Sequence, residues 1–86
     1  MELAWYTSDS ADECNHDQEV DLDRIGNPGG ASWAYVAPDG RPGHKPWNCE
    51  VLDRWLYEDA ETLAAGEADD EAGAKAAVTA WVAARS

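Results

Sequence analysis

Residues 62–82 read TLAAGEADDEAGAKAAVTAWV, and this stretch decides the fold. In its second half, small and apolar side chains recur at helical spacing on one face: Ala74, Ala77, Val78, Trp81 and Val82. Asp69 or Asp70 can cap such a helix, because a carboxylate accepts hydrogen bonds from the free N–H groups of a first turn. Gly73 costs about 1 kcal/mol relative to Ala inside a helix. The stretch therefore predicts a C-terminal helix that needs a packing partner.

The preceding segment, residues 51–66, supports two interpretations. In the first, its apolar residues continue as a helix, with Asn48 as N-cap and Gly66 just past the end. In the second, a strand ends near Asp53, a loop runs through residues 58–59, and a last strand covers Thr62–Ala68. We favour the second interpretation, since short apolar runs between turn residues are typical of strands.

Earlier segments alternate apolar and polar residues, as strands do. Strands are predicted over Leu3–Ser8, Glu19–Asp23, Ser32–Ala37 and from Trp47 onward. The Pro- and Gly-rich residues 38–46 lie between the last two and predict an antiparallel hairpin. We expect one α+β domain over residues 1–86, a three- or four-stranded antiparallel sheet with one C-terminal helix packed on it. A β-hairpin followed by two C-terminal helices is the alternative.

The chain is strongly acidic, with 18 Asp and Glu against 6 Lys and Arg and a formal net charge of −12. Such a charge repels nucleic acids and anionic membranes, so direct binding to either is not expected, and it attracts basic protein surfaces. No basic, apolar leader begins the chain and no window reaches 18 apolar residues. We therefore expect a cytoplasmic protein with reduced cysteines.

Residues 62–82 also resemble a pattern of small accessory proteins of actinobacterial phages, in which a strand ending Leu-x-x-Gly-x-Ala leads into a helix with Ala-Lys-x-Ala. The matching positions are Leu63, Gly66, Ala68, Ala74, Lys75, Ala77 and Trp81. The resemblance implies a sheet-plus-helix fold and supports the strand at 62–68. It also implies a modulator of host machinery, and it carries over no catalytic residue.

Every second residue from 17 to 23 carries a carboxylate: Asp17, Glu19, Asp21 and Asp23. Asp12 and Glu13 come shortly before them. On a strand, alternate side chains share one face about 6.6 Å apart, which predicts an outward-facing acidic row. Such a row could imitate a nucleic-acid backbone for a basic groove on a partner. Most of the five tryptophans are expected in the core, and one left exposed, such as Trp33 or Trp55, would anchor an interface.

The potential zinc ligands form two pairs, Cys14 with His16 and His44 with Cys49. Four such ligands could hold zinc tetrahedrally and staple a small domain. Their spacing departs from zinc-finger patterns, so unligated thiols in the core or on the surface, or a Cys14–Cys49 disulfide, remain open. No other cofactor is expected.

No nucleophile–base, metalloprotease or phosphate-loop motif occurs, which predicts a protein without enzymatic activity. The sequence thus favours a small non-enzymatic binding protein, encoded by a phage or mobile element, that docks on a basic surface of a host protein. That host protein could itself bind nucleic acid. A zinc-stabilised interaction module is the alternative, and a homodimer built on Trp and Ala faces is open.

Overall fold

The computed structural model describes residues 2–7, 18–55 and 59–85. Within these ranges, five antiparallel strands form one sheet in chain order, and a helix follows the last of them. The elements are β1 (Tyr6–Thr7), β2 (Gln18–Asp21), β3 (Trp33–Pro38), β4 (Trp47–Leu52), β5 (Thr62–Ala68) and α1 (Glu71–Ala83). The α+β class is therefore confirmed, with five strands in place of three or four, and the alternative with two C-terminal helices is wrong.

Residues 51–66 contain the end of one strand and the start of another. β4 ends at Leu52 and β5 begins at Thr62, in antiparallel register with Trp47 opposite Ala68. The register shifts between Val51 and Leu52, where a β-bulge interrupts the ladder. The predicted β3–β4 hairpin is also present, with Pro38 opposite Trp47.

Helix α1 begins as the sequence predicted. The side chain of Asp70 accepts a hydrogen bond from the backbone N–H of Gly73 over 2.6 Å, which satisfies one of the free donors of the first turn. Ala74, Val78 and Val82 are buried against the sheet, while Ala77 is exposed. The apolar face is thus narrower than predicted: one buried row with residues four apart, and Trp81 partly buried beside it.

The helix covers one face of the sheet, here called the helix-covered face. Its core contains Val20, Ala34, Val36, Cys49 and Val51 packed with the buried row of α1. Each fully buried Val contributes about 1.5–3 kcal/mol, so this layer holds the helix despite Gly73. At the C-terminal end of α1, Trp81 and Arg85 pack against Gly29. A Cβ on Gly29 would lie 2.9 Å from Trp81 Cη2.

The second core lies on the opposite face of the sheet. It consists of Trp33, Tyr35, Ala37 and Leu52, with Ala60 packed against it. Strands β3 and β4 therefore contribute apolar side chains to both cores. For this reason the first five residues of β3 are all buried. No helix in the described ranges has both the length and the apolar character to cross a membrane.

Candidate functional site

The predicted acidic row does not form among the residues that the structure describes. Strand β2 ends at Asp21, and the chain then turns through Asp23–Ile25 to Gly26, whose φ of 91° is left-handed. Asp23 therefore lies outside the strand. Glu19 is only 8% exposed and accepts a hydrogen bond from Tyr6 Oη over 3.3 Å. An outward-facing row at strand spacing is thus wrong, because Glu19 is taken up by a tyrosine on the neighbouring strand.

The turn after β2 instead brings two carboxylates together. Asp21 Oδ1 accepts a hydrogen bond from the backbone N–H of Asp23 over 2.9 Å. Asp23 in turn accepts hydrogen bonds from the side chain of Asn27 and from the indole of Trp55, the latter over 2.8 Å. The Trp55 hydrogen bond, and then that from Asn27, lowers the pKa of Asp23 below its usual value of 3.8.

Besides its hydrogen bond to Asp23, Trp55 makes a ring contact with a second tryptophan. Its ring stacks on that of Trp33, with centroids 5.2 Å apart and planes 13° from parallel. Trp33 is 3% exposed, and its indole N–H donates to the backbone carbonyl of Arg54. Trp33 as an exposed anchor is therefore wrong, since alternation along β3 places it in the second core. Trp55 is 44% exposed, as the sequence predicted for one tryptophan.

Two further large apolar side chains are exposed next to the same turn. Tyr6 is 41% and Ile25 is 47% exposed, and with Trp55 they are the exposed large hydrophobic residues of the described chain. Tyr6 and Ile25 line one groove of about 300 Å³ together with Leu3, Asp21 and Arg24. Asp21 and Asp23 thus lie between this groove and the Trp55 ring.

The loop after β4 adds charge beside Trp55. Asp53 Oδ1 accepts a hydrogen bond from the backbone N–H of Glu61 over 2.8 Å, and Arg54 lies 3.8 Å from the same carboxyl group. We use the name Trp55 surface for the residues of this region: Tyr6, Asp21, Asp23, Arg24, Ile25, 53–55 and Glu61. It combines exposed apolar side chains with four carboxylates and two guanidinium groups.

Of the four predicted zinc ligands, the structure describes His44 and Cys49. His44 is exposed and its Nδ1 contacts Glu67. Cys49 is a buried free thiol in the core of the helix-covered face, and burial raises its pKa. The structure therefore does not bring His44 and Cys49 together, since Cys49 is in the helix-covered core and His44 contacts Glu67, and the four-ligand zinc site stays a prediction. Cys14 and His16, like Asp12, Glu13 and Asp17, lie outside the described residues.

A group of polar side chains that the sequence did not predict lies at the hairpin end of the sheet. Ligand-type atoms of Asp39, His44 and Glu67 are all within 4.8 Å of one another. Asp39 also pairs with Arg41, whose hydrogen bonds hold the pKa of the Asp39 carboxyl far below its usual range. Glu67 is 28 positions from Asp39, so only the β4–β5 register could have revealed the cluster.

Comparison with known proteins identified no matching family model, no matching curated protein and no matching solved structure. The resemblance of residues 62–82 to phage accessory proteins therefore stays a prediction.

Proposed function

We propose that this protein is a small acidic interaction module that docks on a basic surface of a partner protein through the Trp55 surface. The observation that carries the proposal is the Trp55 ring, which is 44% exposed and hydrogen-bonded to the carboxylate of Asp23. An aromatic anchor with a polar, charged rim is the usual layout of a binding hot spot.

The ring is preorganised for binding. The stack on Trp33 and the hydrogen bond to Asp23 restrict its rotamers before any partner arrives. Ordering a side chain on binding costs about 0.5–1.5 kcal/mol, and a ring that is already held avoids most of that cost.

The charge distribution supports a basic partner. Four basic side chains each pair with one neighbouring carboxylate, in the pairs Arg24–Asp21, Arg41–Asp39, Arg54–Asp53 and Lys75–Glu71. Across the chain, 18 acidic side chains outnumber 6 Lys and Arg, for a formal net charge of −12. A positively charged surface would be steered toward the module and would approach faster at low salt.

The resemblance of residues 62–82 to phage accessory proteins makes a host protein the partner that we propose. Because Glu19 is buried, the acidic row that nucleic-acid mimicry requires is not part of the proposal. Recognition rests on an apolar anchor surrounded by carboxylates, which suits a lysine- or arginine-bearing protein surface with an apolar pocket.

Affinity capture tests this proposal. The immobilised protein is exposed to lysate of the encoding or host cell at about 50 mM and about 500 mM NaCl, which span weak and strong screening. Asp23→Lys and Asp69→Lys change the charge equally at two exposed positions, so Asp69→Lys is the matched control.

We expect one or a few basic proteins to be retained at low salt and released at high salt. Asp23→Lys and Trp55→Ala should each reduce retention about tenfold or more, whereas Asp69→Lys should retain the same proteins. Retention that is equal for Asp23→Lys and Asp69→Lys, or that is insensitive to Trp55→Ala in a folded variant, would overturn the proposal.

A further inference from the structure

The hairpin end of the sheet carries three side chains of the kind that bind transition metals. Asp39 follows β3, His44 lies in the β3–β4 loop, and Glu67 lies in β5. Their ligand-type atoms are within 4.8 Å of one another. Zinc bound tetrahedrally at about 2.0–2.1 Å needs ligands about 3.3 Å apart, so a small movement of the exposed His44 would complete the geometry.

A second observation points to the same place. The Oδ1 atom of Asn48 is buried and has no hydrogen-bond partner, which is costly for an amide oxygen. The Nδ2 atom of that amide contacts Asp39 Oδ2 over 3.4 Å, and Asn48 pairs with Glu67 across β4 and β5. The amide that contacts Asp39 through its nitrogen thus has an unpartnered carbonyl oxygen on its other side. Arg41, Asn48 and Glu67 also help to line a groove of about 290 Å³.

We propose that Asp39, His44 and Glu67 bind one zinc ion, with Asn48 as a fourth ligand once its amide turns over and brings Oδ1 toward Asp39. One imidazole with carboxylate oxygens suits zinc, since magnesium and calcium prefer oxygen ligands alone. The ion would join the β3–β4 loop to β5 and stabilise that edge of the sheet. This inference does not depend on the proposed function, because the Trp55 surface lies at the other end of β3.

Arg41 is the group that zinc would have to displace. Its Nη2 lies 2.7 Å from Asp39 Oδ2, and its Nε contacts both carboxylate oxygens. The arginine side chain is 63% exposed whereas that of Asp39 is 3% exposed, so the arginine can leave while the carboxylate stays. Zinc and Arg41 would then compete for one carboxylate, which gives the site a distinctive test.

The test is zinc binding to the full chain, measured by equilibrium dialysis against ZnCl₂ and by thermal melting with and without zinc. We expect one zinc per chain and a higher melting temperature with zinc present. His44→Ala and Glu67→Gln should each weaken binding about tenfold or more, whereas Arg41→Gln should strengthen it about fivefold by removing a competing cation.

A Cys14→Ser/His16→Ala double variant is the control, because it removes one of the two ligand pairs of the zinc site that the sequence predicts. It should bind zinc like the unmodified protein, and cobalt bound in place of zinc should show no thiolate charge-transfer band. Absence of zinc binding, loss of binding in the double variant, or unchanged binding in His44→Ala would each overturn the assignment.

Discussion

The indole Nε1 of Trp55 donates a hydrogen bond to Asp23 Oδ2 over 2.8 Å, which joins the turn after β2 to the loop after β4. These residues are 32 positions apart in the chain and lie on loops that are separated by the whole width of β3. The contact fixes an exposed aromatic ring next to carboxylates, and the proposed docking function depends on that arrangement.

The Trp55–Asp23 contact predicts a pH dependence of known sign. The pKa of Asp23 is lowered below 3.8 in the folded protein, first by Trp55 and then by Asn27. The contact therefore stabilises the ionised carboxylate: its contribution is present above the unfolded pKa and is lost as the pH falls through the lower folded pKa. Tryptophan fluorescence should show a transition below pH 3.8 that is missing in Trp55→Phe. A Trp55-dependent transition above that pH would contradict the contact.

Gly29 should not tolerate a side chain. Its φ of +62° is left-handed, and a Cβ would lie 2.6 Å from Arg85 Cδ and 2.9 Å from Trp81 Cη2. Gly29→Ala should therefore reduce the free energy of unfolding by about 2 kcal/mol, measured by urea denaturation. Gly40 is the matched control, because a Cβ there meets nothing within 4 Å and its φ is not left-handed. Equal stability of the two variants would disprove the close packing of Gly29 on Trp81.

The N-cap of α1 gives a third prediction. Asp70→Ala removes the carboxylate that accepts the Gly73 N–H, and it should lower the free energy of unfolding by about 1 kcal/mol. Asp69→Ala removes the same charge one residue earlier, outside the cap position. Thermal or urea melts should show the larger loss for Asp70→Ala. A larger loss for Asp69→Ala would indicate that Asp69, and not Asp70, is the N-cap.

The thiol of Cys49 should be unreactive in the folded protein. It is 5% exposed in the helix-covered core, and burial raises its pKa, so little thiolate forms near neutral pH. Iodoacetamide labelling followed by peptide mass spectrometry should modify Cys49 only after unfolding in denaturant. Rapid modification under native conditions would show that α1 does not cover this face.

The spacing of apolar and capping residues along the chain predicted strand β5 and helix α1. The row of Ala74, Val78 and Val82, the Asp70 cap and the strand at 62–68 all follow from spacing and end signals within about twenty residues. The β3–β4 hairpin follows in the same way from the Pro- and Gly-rich residues between its strands. The register across the longer connections, from β2 to β3 and from β4 to β5, left no such signal.

The functional side chains were harder to predict for that reason. Alternation placed Glu19 outward, but a tyrosine on a neighbouring strand holds it in a buried position. Trp33 lies in a predicted strand and Trp55 in the segment with two interpretations, but the local sequence of neither shows that a second core covers the far face of the sheet. Asp39 and Glu67 meet through strand register alone.

The location of the docking surface is tested most directly by hydrogen exchange of the complex with the captured partner. The account predicts slower amide exchange on binding in residues 21–25 and 53–55, with exchange in the middle of α1 unchanged. Protection confined to β5 and α1, with residues 21–25 and 53–55 exchanging as in the free protein, would contradict it.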